Sequence, residues 1–340
     1  MIMAESERIT VTVATDFSDA ILADLREISP RLQIERHFPD VPVDVMTRTE
    51  VLYTTSYYPE PEQAPKLRWI QANTSGLNQA LHHRIVQAED ITVTSASGIH
   101  ATNMAHYCLM MMLMFNYKMR LALSLQGRAE WPENASEIFM PIDMDRQTVG
   151  IVGYGSIGRE LARLCAGMGM TVLASKQDLG NTAEVNAFVL PGVGDPNGDI
   201  PDRIYPAATI ASMAKDCDYL VVLVPLTQRT GHLIGDEILD AMKDSAVLIN
   251  VSRGPVVDEK ALITALSSGK IAGAALDVFE EEPLPSTSPL WNLDNVIITP
   301  HISGFTRDYH DKAALVFREN LRRYLENRPL LNQLDRGKGY

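Results

Sequence analysis

Cysteine is scarce: Cys108, Cys165 and Cys217 are the only three in 340 residues. Each lies among apolar neighbours, and so sparse and odd a set excludes a disulfide-stapled scaffold. They read as reduced core thiols of a cytoplasmic protein. Positive charge is also short, with 30 Lys and Arg against 43 Asp and Glu, a formal net charge of −13. That balance argues against duplex nucleic acid or an anionic membrane as partner. It leaves room for a small anionic ligand, because one arginine in a cleft outweighs a diffuse surface field. The richest hydrophobic run, Cys108–Phe115, is too short to span a bilayer. No N-terminal stretch joins a basic region, an apolar core and a cleavage site. The histidines include the pair His82–His83, which reads as exposed helix surface. There is no H-E-x-x-H and no close Cys/His cluster, so no metal is expected. Ser252 lacks the G-x-S-x-G elbow of a hydrolase.

What is present centres on Thr148–Lys176. An apolar strand, Thr148–Val152, runs into Gly153, Gly155 and Gly158 in a G-x-G-x-x-G pattern, then into a helix from Ser156 and a short strand, Thr171–Ala174. In this setting Gly153 permits the tight turn, Gly155 admits a pyrophosphate near the backbone, and Gly158 lets helix and sheet approach. The free N–H groups at the helix start hold phosphate.

Strands are expected at 9–14, 51–54, 67–71 and 91–94, with a helix over 18–27. This makes about the first 98 residues one small parallel α/β unit. Thr102–Met119 reads as a long helix linking two domains, and Gln126–Asp145 as a loop. Its Trp131 and Phe139 pack either against a partner subunit or within their own chain. Gly180–Pro206, rich in Gly, Pro, Asp and Asn, reads as a long irregular surface insertion. Strands at 219–224, 246–251, 271–276 and 295–299, with a helix over 259–268, extend a second parallel sheet. The last helix, 311–324, returns to the first domain. The division is 1–98, substrate and catalytic domain; 99–300, dinucleotide-binding domain; 301–340, return to the first.

Three polar motifs follow strands of the second domain: Ser252-Arg253-Gly254, then Asp277 with Glu282-Pro283 beyond it, and Thr299-Pro300-His301. Residues past parallel strand ends converge above one sheet edge, where nucleotides also lie. Arg253 can grip a carboxylate and a C2 oxygen with its rigid fork of donors. His301 can donate a proton to that oxygen, and Glu282 can orient the imidazole and favour its protonated form. The set suits reduction of a 2-keto acid by a nicotinamide cofactor. Taken singly, each has a plainer reading: Arg253 as an ion-pair partner, Glu282 as solvated charge in EEEP, His301 as a structural hydrogen bonder. Asp277 either serves the nicotinamide side of the pocket or satisfies nearby backbone donors.

The strings TVGIVGYGSIGRELA, VVLVPLTQRTGHLI, INVSRGPVVDEKALITAL, AALDVFEEEPLP and PLWNLDNVIITPHISG resemble the D-isomer-specific 2-hydroxyacid dehydrogenases. The likeness implies an α/β, two-domain fold, a Rossmann nucleotide-binding domain with a flavodoxin-like substrate domain. It implies NAD(P)H-dependent reduction of a small 2-keto acid to a D-2-hydroxy acid, and the reverse oxidation. By resemblance Arg253 binds substrate, Glu282 is the acidic partner, and His301 is the proton donor or acceptor. Ser156, Ile157, Val224, Pro225, Thr230, Val251, Ser252, Arg253, Asp277 and His301 match positions lining the cofactor. Asn73, Thr74, Ser75, Gly76 and Leu77 match a loop whose amides receive the substrate carboxylate, as successive N–H groups can. A homodimer across the nucleotide-binding domains is implied too, which gives 126–145 an interface role. The PLPSTSPLW string and the terminal GKGY are most similar to the glyoxylate/hydroxypyruvate reductase branch. Glutamate at Glu282, where the formate-oxidising branch has glutamine, favours hydroxyacid chemistry. The usual V-A-E is Met104-Ala105-His106 here, and 180–206 is longer than usual. A dinucleotide-binding regulatory or corepressor-like dimer is the alternative, and a bulkier pocket shaped by Tyr53–Tyr58 a third reading.

An NAD site places an acid after its second strand to bond the ribose hydroxyls. Here Ser175 and Lys176 follow the strand, and Lys176 aligns with that acid. A serine can bond and a lysine neutralise a 2′-phosphate, so NADP(H) is the expected preference, with NAD(H) possible. Asp178 is the counterweight.

Overall fold

The computed structural model describes residues 8–77, 79–180 and 186–337. Parts of two expectations, 181–185 of the long insertion and 338–340 of the terminal GKGY, lie outside the described residues. The chain divides into two compact units: Met1–Ile99, Val185–Leu190 and Thr306–Tyr340 form one, His100–Glu184 and Pro191–Phe305 the other.

In the first unit, β1 (Ile9–Ala14), β2 (Leu32–Arg36), β3 (Val51–Thr54), β4 (Trp69–Ala72) and β5 (Thr92–Thr94) form a parallel sheet in the order β2-β1-β3-β4-β5. This is the flavodoxin-like order. Ser18 caps the Asp19–Arg26 helix by accepting from Ile21 N at 3.3 Å, and Ile21, Leu22 and Leu25 enter the core. The terminal helix Tyr309–Leu325 places Phe317 and Leu321 in the same core as Val11, Val13 and Trp69. Tyr53 is also core. It is fully buried, with ring centroids 4.5 Å from Phe17 and 4.7 Å from Phe317, so it shapes no enlarged pocket. His82 and His83 lie in a turn rather than on a helix face, and His83 stacks on Tyr58 at 4.6 Å.

The second unit carries β6 (Thr148–Val152), β7 (Thr171–Lys176), β8 (Arg203–Pro206), β9 (Tyr219–Val222), β10 (Val247–Asn250), β11 (Gly273–Leu276) and β12 (Val296–Ile298). All are parallel, in the order β12-β11-β10-β9-β6-β7-β8, so the winding direction reverses between β6 and β9. That reversal is the doubly wound switch point where ligands bind. The Ala101–Asn116 and Ser156–Gly167 helices share a core through Ala105, Cys108, Met112, Leu161 and Cys165. The expected single helix to Met119 ends early: Lys118 takes φ +49°, and a separate helix, Met119–Gly127, follows.

The stretch expected as a surface insertion is neither wholly surface nor wholly irregular. Its end is β8, whose Ser175↔Tyr205 and Lys176↔Pro206 pairing extends β7 two residues beyond the expected strand. Phe188 is buried with Ala96, Ile99 and Val316 in the first unit. Asp195 is buried in the second, accepting from Tyr154 Oη and from the N–H groups of Gly198 and Ile200 at 3.0 and 3.1 Å.

Candidate active site

The glycine turn after β6 has the shape its sequence demands. Gly153 sits at φ +106°, where a side chain is strained, and a Cβ there would meet Val224 Cγ1 at 3.0 Å. A Cβ on Gly158 would lie 2.4 Å from Gly153 O, so only glycine lets this helix sit so close to the strand. A Cβ on Gly155 would meet nothing within 4 Å, and no side chain caps the helix that Gly155 starts. The N–H groups of Ser156 and Ile157 therefore face an open cradle at a helix N-terminus, the donor set a dinucleotide pyrophosphate requires. The residues fit such a cofactor.

Around this turn, Val224 and Pro225 follow β9. Thr230 uses its hydroxyl on the protein, donating to Pro225 O at 2.6 Å and accepting from Thr227 N at 2.7 Å. Thr230 thus closes the turn that holds Val224 and Pro225. Ser175 is buried within β7, which leaves Lys176 as the partly exposed side chain at the strand end. Asp178 Oδ1 accepts from Gly180 N at 2.9 Å.

The Arg253 turn is shaped by a residue that the sequence motifs did not single out. Asn250, the last residue of β10, accepts from Ser252 N at 3.1 Å and Ser252 Oγ at 2.9 Å, and donates to Arg253 O at 3.3 Å. Val251 is buried beneath. Arg253 Nη1 donates to Ser252 O at 2.7 Å, and the exposed guanidinium has no other acceptor among the described residues. Its remaining donors suit a carboxylate. At Gly254 a Cβ would lie 1.8 Å from the carbonyl carbon and oxygen of Phe279. The Arg253 turn therefore presses directly on the loop that bears Glu282. Phe279 N in turn donates to Glu282 Oε1 at 3.0 Å.

Glu282 Oε2 lies 2.7 Å from His301 Nδ1. The carboxylate is thus shared between a backbone amide and the imidazole, which fixes the ring, and Nε2 has no partner among the described residues. His301 adopts φ +53°, a left-handed conformation uncommon for a residue with a side chain. Asp277 holds this turn. Its backbone oxygen accepts from His301 N at 2.9 Å, Oδ1 from Ile302 N at 2.8 Å, and Oδ2 from Ser303 N at 2.9 Å. Oδ1 also accepts from Thr299 Oγ1 at 2.6 Å. Of the two roles open to Asp277, the structure displays the second, satisfying backbone donors. The turn 299–303 thus gains its shape from a buried carboxylate 22 positions before it, a long-range dependence that no local pattern announces.

In the first unit, Asn73 closes the end of β4: it accepts from Tyr53 Oη at 2.6 Å and donates to Thr55 Oγ1 at 3.1 Å, while its carbonyl accepts from Tyr309 Oη at 2.6 Å. The N–H groups of Thr74, Ser75 and Gly76 have no acceptor among the described residues. They form a short run of donors, as an anion receptor needs.

Residues 109–303 match the family model described as D-isomer specific 2-hydroxyacid dehydrogenase, NAD binding domain. Among curated relatives, a glyoxylate/hydroxypyruvate reductase B of Yersinia pestis is 38% identical over 56% of this chain and 54% of its own length. The match thus spans about half of that relative. An (S)-sulfolactate dehydrogenase of Chromohalobacter salexigens is 35% identical over 69% of this chain and 71% of its own. A D-isomer specific 2-hydroxyacid dehydrogenase from Xanthobacter autotrophicus Py2, solved in complex with NADPH and MES, superposes with a TM-score of 0.77 at 27% identity, covering 98% of this chain and 100% of that one. With the glycine cradle, the Arg253 turn and the Glu282–His301 pair in place, these likenesses make the chain a member of the D-isomer specific 2-hydroxyacid dehydrogenase family.

Proposed function

We propose that the protein reduces a small 2-keto acid of the glyoxylate or hydroxypyruvate kind to the D-2-hydroxy acid, and catalyses the reverse oxidation. The observation that carries this reading is the Glu282–His301 contact at 2.7 Å, which commits Nδ1 and leaves Nε2 for a substrate oxygen. A nicotinamide dinucleotide, when bound, supplies the hydride equivalent that carbon-2 receives. The chain's own residues do the rest. Arg253 binds the carboxylate and polarises the C2 oxygen, His301 delivers a proton to that oxygen from Nε2, and Glu282 stabilises the ring while it carries the proton. In oxidation the same imidazole takes the hydroxyl proton. The Asn73–Leu77 loop is assigned to the substrate carboxylate by its run of N–H donors and by the family resemblance.

NADP(H) is the proposed preference. Lys176 stands where an acid would select NAD, and Asp178 accepts from Gly180 N through Oδ1. The structural relative crystallised with NADPH supports the same choice. A cytoplasmic homodimer is also proposed: Trp131 is 91% exposed, and Leu123, Met140 and Ile142 of the same stretch of sequence are exposed too, apolar surface of the kind an interface covers.

Oxidation of NADPH and NADH against glyoxylate, hydroxypyruvate, pyruvate and larger 2-keto acids tests the reading. Turnover of a small member with NADPH is expected. Lys176→Glu should move the preference toward NADH by about tenfold or more, the worth of one charge-assisted contact. Absence of turnover across the panel, with nucleotide-dependent binding of another protein, would favour the corepressor-like alternative.

A further inference from the structure

Besides the backbone N–H groups of the His301 turn, Asp277 accepts from one hydroxyl, that of Thr299. Thr299 Oγ1 has one proton, given to Asp277 Oδ1 at 2.6 Å. The Thr299 oxygen is in turn hydrogen-bonded to Tyr107 Oη, from the Ala101–Asn116 helix. Since the threonine proton is already committed, Tyr107 is the donor in that contact. The order is therefore Tyr107 O–H to Thr299 O–H to the Asp277 carboxylate, which also accepts from the N–H groups of Ile302 and Ser303, while the Asp277 backbone oxygen accepts from His301 N. Burial keeps the Tyr107 phenol well above its usual range, so it stays a donor.

We propose that Tyr107 is a positioning residue for proton transfer, holding His301 in place through Thr299 and Asp277. The inference rests on the assignment of His301 as proton donor. Asp277 is fully buried and makes no ion pair with a described cation. The groups facing it are Tyr107 and Cys108 from the Ala101–Asn116 helix, Thr299, and the backbone of 301–303; burial pushes the Cys108 thiol up, so it adds no charge. Glu282 faces the imidazole itself. Tyr107 donation fixes the Thr299 rotor and polarises its O–H toward the carboxylate. Without it the hydroxyl can turn away, and the left-handed His301 turn loses part of what holds it. The imidazole then meets Glu282 less well, which weakens the support its protonated form receives.

Tyr107→Phe removes only the hydroxyl. It should lower kcat for keto-acid reduction about three- to tenfold, the worth of one hydrogen bond, with KM for the keto acid nearly unchanged. The alkaline limb of the pH–rate profile should move down by about half a pH unit. Thr299→Val should do the same and Thr299→Ser should retain activity. Because Tyr107 acts only through Thr299, the Tyr107→Phe/Thr299→Val double variant should be no worse than Thr299→Val. An unmoved alkaline limb in Tyr107→Phe, even with a lowered Tm, would overturn the proposal, as would multiplying effects in the double variant. The underlying assignment fails in another way, by substantial turnover in His301→Ala.

Discussion

The turns after β10 and β12 lie at the same end of one parallel sheet, and they are held very differently. Asn250 ties down the backbone of the first, but among the described residues the Arg253 guanidinium has a single bond, to Ser252 O, and is otherwise open. In the second, backbone and side chain are both fixed: Asp277 holds 301–303, and Glu282 holds the His301 ring. The contrast matches two chemical demands. A residue that grips a carboxylate needs reach and spare donors, whereas a proton donor needs its nitrogen within a few tenths of an ångström of one place.

Substituting the two end residues is the harshest trial of that contrast. His301→Ala should depress kcat by about 10²–10⁴, the usual weight of a general acid, and leave keto-acid affinity largely intact. Arg253→Lys keeps the charge and loses the fork, so its loss should fall mainly on KM, roughly tenfold or more. Steady-state kinetics on both variants read this split, and the reverse pattern would sink the division of labour. Gly254→Ala couples the two turns. Its methyl would strike the Phe279 carbonyl, which cannot withdraw like a flexible side chain. A loss of about 1–3 kcal/mol, typical of overpacking, is expected. Activity should fall beyond what the lost stability explains, because Phe279 N–H also holds Glu282; thermal unfolding alongside kinetics separates the two.

The smallest expected effect sharpens the comparison by contrast, on a surface pair of the first unit. Arg48 hydrogen bonds hold Glu35 down to about 2 from its ordinary 4.5. A lowered folded-state value means stability that is complete above the ordinary value and lost as pH falls through about 2. Since both side chains are more than a third exposed, solvent screening limits this to roughly 0.5 kcal/mol. Urea unfolding of Glu35→Gln at pH 7 should show that deficit, and at pH 3 most of it should have gone. High salt should shrink it as well.

What was legible in the sequence was what local chemistry decides. The β6–glycine–helix unit reads correctly because each glycine answers a nearby steric demand, and Ile21, Leu22 and Leu25 declare their buried face by helical spacing. β2, LQIER, carries no such signal: two apolar residues in a polar stretch are too short a pattern, and pairing with β1 makes it a strand. Ser175 was expected beyond a strand end, but β8 lies alongside and carries β7 past it. Burial of Phe188 and Asp195 was hidden for the same reason, since both depend on partners far away in sequence. At the site, residue types single out Arg253, Glu282 and His301 as candidates, and the structure brings Glu282 and His301 into contact. Gly254 and Thr299 fall within the motifs that carry Arg253 and His301 without a role of their own being legible, and Asn250 and Tyr107 have no chemical signature at all.

Because residues 185–190 belong to the first unit while the chain on either side belongs to the second, the polypeptide passes between the units four times. No single cut therefore releases either unit whole. A fragment running from His100 to Phe305 would carry Phe188 away from Ala96, Ile99 and Val316, turning a buried ring into a sticky exposed one. Exchanging the nucleotide-binding half with that of a relative would have to respect this stitch, or leave a hole in one piece and a loose thread on the other.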